Sequence, residues 1–184
     1  METQAGRSPM PSTTRRRALG ASLAAIALGS TTWSIPASAA HLAIGQPAPP
    51  LTLVTLDGER IGTQQLLGSV VILTFWATWC EPCRIELPAL SAYAARHAEN
   101  GLRVLGFSLN EPDDIPAVRR IAAQLSFPVG LLGSAWAGGY GRIWRLPASF
   151  TIDRQGRLAD NSWNDPDPGW TEARLQRVIG PLLG

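Results

Sequence analysis

The most uniform apolar run in the chain is Val70–Trp76, VVILTFW. It is rich in β-branched and aromatic residues and does not alternate with polar ones, which predicts a strand buried on both faces of a covered sheet. The pattern then changes to a helical period. Leu90, Tyr93, Ala94 and His97 share one face of a helix predicted over residues 80–100, with a kink at Pro88 and a stop at Asn100-Gly101. Residues 102–109, LRVLGFSL, predict a second strand. Asp113 or Asp114 can cap a second helix running to about residue 125, with Pro116 tolerated in its first turn. Val129–Leu131 predicts a short third strand.

On the N-terminal side, the Pro-rich lead-in HLAIGQPAPP precedes LTLVTLDGERI, where Asp57-Gly58 between two strand-like runs predicts a β-hairpin. QQLLG predicts a short helical turn. On the C-terminal side, residues 149–153 and 157–159 form a hairpin about Arg154-Gln155-Gly156. Residues 135–145, with Gly138-Gly139, carry no defined element, and the polar, turn-rich NSWNDPDPG of residues 161–169 reads either as a loop adjoining the substrate face or as a linker, the linker being favoured. Thr171 caps a last helix that Gly180-Pro181 ends. Strands alternating with helices, followed by a hairpin and a helix, define an α/β fold with one mixed sheet.

At 184 residues and 45% apolar composition, the chain can form one domain with its own core. No apolar run reaches the roughly 18 residues that a membrane span needs. Residues 1–39 read as an export signal: Arg15-Arg16-Arg17, the Ala/Leu-rich ALGASLAAIALG, then Ala37-Ser38-Ala39. The arginines resemble the twin-arginine type of signal, although Ala18 stands where a bulky residue is usual. Cleavage is expected after Ala39 or Ala40, leaving a domain over residues 40–184 and placing the protein in the periplasm or elsewhere outside the cytoplasm. Setting aside the four arginines and one glutamate of residues 1–39 takes the formal charge from +2 to −1. The domain is near neutral, and its charge offers no basis for binding nucleic acid.

Two cysteines, Cys80 and Cys83, carry the candidate chemistry. A structural zinc site needs about four Cys or His ligands. His41 and His97 are the only histidines and lie far along the chain from the pair, so no metal site is expected. Covalent haem needs C-x-x-C-H, and residue 84 is Arg. A purely structural disulfide with so short a loop removes little unfolded-chain entropy. A working dithiol accounts for the placement better. A buried strand ends, a tight turn follows, and a helix begins at Cys80. The free N–H groups and positive dipole end of that helix stabilise a thiolate. Cys80 is then the exposed nucleophile and Cys83, one turn on and further inside, the resolving thiol. Pro82 in the first turn costs no helical hydrogen bond. Trp76 and Trp79 flank the pair, and Trp79 adjoins the exposed sulfur as a contact surface.

The ordered set GQPAP, LDG, WATWCEPCRIELPAL and LPASFTID-x-x-G resembles the TlpA/ResA-like branch of the thioredoxin superfamily, from about residue 45 to about residue 160. The resemblance implies a thioredoxin-like mixed sheet flanked by helices with an N-terminal β-hairpin extension. It also implies thiol–disulfide exchange outside the cytoplasm, with the Cys80-Cys83 pair as the redox group and no other cofactor. Pro147 matches the family's cis-proline opposite the dithiol, with Leu146 presenting its backbone to substrate. Glu86 matches an acid lining the active-site cavity of ResA-like proteins, where it aids proton transfer. Thioredoxin's own buried acid maps to Thr74, which cannot ionise. Glu81 and Pro82 lie between the cysteines, and a carboxylate at Glu81 opposes the helix dipole and disfavours the thiolate. A reductant is therefore expected.

The partners that the resemblance implies are a disulfide-containing protein and a membrane thiol-disulfide electron donor. The leading substrate is an apocytochrome c with an oxidised C-x-x-C-H. Alternatives are the cysteines of a copper-site protein, general disulfide repair, or a copper-binding chaperone without turnover. A peroxidase is not expected, because Thr78 stands two residues before Cys80 rather than three.

Overall fold

The computed structural model describes residues 42–184. The expected export signal over residues 1–39 and His41 lie outside them. The chain opens with the predicted hairpin, β1 (Thr52–Val54) and β2 (Arg60–Gly62), and a 3-10 turn at Thr63–Leu66. The main succession is β3 (Val70–Trp76), α1 (Glu81–His97), β4 (Leu102–Ser108), α2 (Ile115–Ala122) and β5 (Val129–Leu131). It closes with β6 (Ala148–Ile152), β7 (Leu158–Asn161), α3 (Glu172–Val178) and a short α4 (Gly180–Leu183). The five-stranded sheet has the order β5-β4-β3-β6-β7, with β3 parallel to β4 and antiparallel to β6. This is the thioredoxin-like mixed sheet with an N-terminal hairpin.

All seven residues of β3 are buried, and their alternation divides the core. Val70, Ile72 and Trp76 pack with Leu87, Leu90 and Tyr93 of α1 and with Leu175 of α3. Val71, Leu73 and Phe75 face the other way, onto Leu53 of the hairpin, Phe107, Phe150 and Ile143. Helices cover one face of the sheet. The hairpin and the segment around residues 137–143 cover the other.

Three local expectations need correction. Asp114 occupies the residue before α2 but makes no capping bond, because its carboxylate accepts from Asn110 Nδ2 at 2.9 Å. The chain enters α2 through a 3-10 turn, and the helix ends at Ala122 rather than near residue 125. The helix that Thr171 caps ends at Val178, just before Gly180-Pro181 as expected, but it is not the last, since the one-turn α4 follows. Pro181 sits in the first turn of α4, where no backbone donor is needed. At Thr171 the expected cap forms, its hydroxyl accepting from the Arg174 N–H at 3.2 Å. Helix α1 runs unbroken through Pro88.

The hairpin seats on the sheet edge by close backbone approach. The Leu56 N–H donates to the Val129 carbonyl at 2.9 Å. At Gly130 there is no room for a side chain, since a Cβ would lie inside the van der Waals contact of the Val54 carbonyl. Gly130→Ala is expected to push the hairpin off β5 and lower stability by about 2 kcal/mol or more. Urea unfolding of the oxidised protein checks this. An unchanged midpoint would mean that the hairpin does not rest on Gly130.

Candidate active site

Trp76 ends β3 wholly inside the core, and the turn after it is held by Asn110. The Asn110 carboxamide accepts from the Thr78 N–H and donates to the Thr78 hydroxyl, both at 2.8 Å. Ser108 fixes the same carboxamide by donating to its oxygen at 2.9 Å. The chain is thereby aimed so that Cys80 becomes the N-cap of α1, its Sγ accepting from the Cys83 N–H at 3.3 Å. Cys80 and Cys83 are joined as a disulfide with Cα atoms 5.3 Å apart. Glu81 and Pro82 form the exposed first turn.

Cys80 was expected to be exposed; it is 5% accessible, and Cys83 is fully enclosed. The small accessible edge of Cys80 borders a groove lined also by Trp79, Pro82, Trp144 and Leu146. Trp79 is exposed beside it, as expected. Trp76 is core rather than contact surface.

The Leu146-Pro147 bond is cis, as the resemblance implied. Ala148 pairs with Phe75, so the register of β6 places Pro147 beside the C-terminal end of β3, from which the cysteine turn emerges. Leu146 lines the groove.

Glu86 lies one turn beyond Cys83 on the same face of α1. It is 5% accessible and is placed under the C-terminal segment, not on the groove to which Cys80 opens. Its Oε2 accepts from the Trp170 N–H at 2.9 Å. Burial pushes its carboxyl up to about 7, against the opposing effects of that hydrogen bond and of Arg174. Thr74 is wholly buried on β3, as its position in the strand requires.

Residues 161–169 are the loop adjoining the groove rather than the favoured linker. Arg174, 2% accessible, donates through Nη2 to Asp160 at 2.8 Å and through Nε to Asp165 at 3.0 Å. Its guanidinium lies 4.1 Å from the centre of the buried Trp170 ring. Hydrogen bonding from Arg174 holds Asp165 below its ordinary acidity range. The same segment reaches the groove. Trp163 stacks on Trp144 with ring centres 5.1 Å apart, and Arg145 donates to the carbonyls of Ser162 and Trp163 at 3.0 and 3.1 Å. Sequence reasoning therefore missed Asn110, Trp144, Arg145 and Arg174. A tryptophan and an arginine just before the matched Pro147 were the available signal for two of them.

The placement of Glu86 sets a pH dependence. Its carboxyl titrates near 7 in the folded protein, against an ordinary value of 4.5. The folded state therefore holds a proton that the unfolded state has lost. The stabilising contribution is complete below about pH 4.5 and is lost as the pH rises through 7. The slope is about 1.4 kcal/mol per pH unit and the total about 3 kcal/mol. Glu86→Gln, which can still accept from Trp170, should remove this part of the slope in urea unfolding of the oxidised protein. Equal slopes in the two proteins would contradict the placement.

Comparison with known proteins agrees with this geometry. Residues 44–161 match the AhpC/TSA family. The thiol-disulfide oxidoreductase ResA of Bacillus thuringiensis (strain Al Hakam) is 32% identical over 138 residues, covering 73% of this chain and 78% of that protein. The thioredoxin-like protein YneN of Bacillus subtilis (strain 168) is 32% identical over 119 residues, 63% of this chain and 69% of that protein. The crystal structure of a thioredoxin-family thiol:disulfide interchange protein from Chlorobium tepidum superposes with a TM-score of 0.62 at 30% identity, covering 76% of this chain and 97% of that one. The chain thus belongs to the AhpC/TSA family, and within it is a thioredoxin-like thiol-disulfide oxidoreductase related to ResA.

Proposed function

We propose that the protein is exported, loses residues 1–39, and reduces disulfides of other proteins outside the cytoplasm, in cytochrome c maturation. The observation that carries the reading is a Cys80–Cys83 disulfide at the start of α1, opening by one edge on a groove beside cis-Pro147.

In the dithiol form, the Cys80 thiolate attacks one sulfur of a substrate disulfide. A Cys80–substrate bond forms, the substrate S–S bond breaks, and its second sulfur leaves with the electron pair and takes up a proton. Cys83 then loses its proton and attacks the Cys80 sulfur. The Cys80–Cys83 bond forms, and the first substrate sulfur leaves as a thiol. Substrate gains two electrons and two protons, and the protein is left in the disulfide form. Glu86, titrating near neutrality one turn from Cys83, takes the proton from that thiol. Trp79, the backbone of Leu146 and Pro147 hold the substrate chain. Pro82 keeps the first turn rigid.

A compartment outside the cytoplasm supplies no thiol reductant of its own, so a membrane thiol-disulfide relay restores the dithiol. The substrate favoured is an apocytochrome c whose C-x-x-C-H cysteines must be thiols before haem is attached. Direction follows from charge. Glu81 stands in the first turn beside Cys80 and opposes the dipole that stabilises its thiolate. A less stabilised thiolate makes the dithiol a stronger electron donor.

Cys83→Ser leaves the attacking thiol but removes the resolving one. It should accumulate a covalent adduct with an apocytochrome c, seen as a reducible band on a non-reducing gel and identified by mass spectrometry. Recovery of copper-site proteins instead would reassign the substrate, and no adduct at all would sink the exchange reading. Redox titration against glutathione or dithiothreitol should give a potential nearer about −270 mV than about −120 mV. A value above about −170 mV would make the protein an oxidant.

A further inference from the structure

The wall of the groove that faces Trp79 is a built aromatic platform. Trp144 is 70% exposed, yet one face of its ring is stacked on Trp163 at an interplanar angle of 13°. The Arg145 guanidinium lies over both rings, 5.5 Å from the centre of Trp144 and 5.2 Å from that of Trp163. Arg145 is fixed in turn by the carbonyls of Ser162 and Trp163. Trp163 also packs edge-on against Phe150 of β6, so the stack is continuous with the core. An exposed tryptophan held in this way gives up little conformational freedom when something covers its free face.

What covers that face follows from the chemistry of the sulfur. The accessible edge of Cys80 opens on this groove. A polypeptide joined to Cys80 in the mixed disulfide must leave through the groove, between Trp79 and Trp144. We propose that the Trp144–Trp163–Arg145 stack is a specificity platform that selects, in an extended segment of the disulfide-bonded substrate, an aromatic side chain next to the attacked cysteine. Aromatic rings gain from an offset or edge-on partner of fixed geometry. The Arg145 charge beside the stack disfavours a Lys or Arg at the same substrate position. This assignment rests on the thiol-exchange reading above and adds the substrate feature that the same site would recognise.

The test uses pre-reduced protein and three disulfide-linked peptide dimers that differ only in the residue following cysteine: Phe, Ser or Lys. Second-order rate constants for their reduction are compared. Wild type should reduce the Phe peptide about five- to tenfold faster than the Ser peptide, with the Lys peptide slowest. Trp144→Ala should bring the Phe-to-Ser ratio close to one, and Trp163→Ala should lower it by loosening the stack. Leu67→Ala, another exposed apolar residue away from the groove, should keep the wild-type ratio. A wild-type ratio near one, or a ratio unmoved by Trp144→Ala, overturns the platform. So does a wild-type dimer that Trp144→Ala dissolves in sedimentation, because a second copy would then be the occupant. Reduction of hydroxyethyl disulfide by wild type separates the two levels. If it proceeds while the peptides are not distinguished, the platform falls and the exchange reading stands. If it does not proceed, both fall.

Discussion

The site depends on the double-sided burial of β3. Seven consecutive residues send alternate side chains into two separate apolar layers, so the strand cannot slip by one position without exchanging the two. That fixed register determines where the strand ends. Trp76, wholly enclosed, marks the end, and Cys80 follows after one tight turn. Because β6 pairs with the same strand, Pro147 arrives beside the same end. The dithiol and the proline are neighbours because both are referred to one central strand, and a site built on such elements holds its geometry.

Around this frame, three polar residues hold segments that have little regular structure. Asn110 joins the turn before Cys80 to the loop after β4. Arg145 joins the segment before Pro147 to residues 162 and 163. Arg174 gathers Asp160 and Asp165 beneath the C-terminal segment. Each satisfies several partners from one side chain, and Arg174 does so almost without contact with water. Its ion pairs hold Asp160 and Asp165 to one buried side chain, and pairs so buried add little to stability compared with an apolar replacement.

Most of the frame was legible in the sequence because burial writes itself as pattern. VVILTFW gives the limits of β3 to the residue, and Asp57-Gly58 marks its hairpin. The cysteines and Pro147 were legible through the ordered motifs around them. The polar anchors were not. A side chain such as Arg174 looks like any solvated helix arginine until the acids it meets, from elsewhere in the chain, are placed in space. The same holds for NSWNDPDPG, whose composition is that of an exposed loop although its Ser162 is buried. Asp114 had the residue type and position of a helix cap, and Asn110, four residues earlier, engages its carboxylate instead. Local rules name what a residue can do; tertiary neighbours decide which of those options it takes.

The bond to Glu86 comes from the main chain of Trp170, not from its indole. No exchange of side chain at that position can delete the donor, short of proline. What can change it is displacement of the whole segment, which Arg174 tethers through Asp165 and the Trp170 ring. The short stretch from Asp165 to Arg174 therefore sets the surroundings of the buried carboxyl one turn beyond Cys83. Losing this segment would uncover Glu86 and would also take Trp170, Leu175 and Ile179 out of the apolar layer against β3, so the wetting of the carboxylate and the loosening of the core are one event.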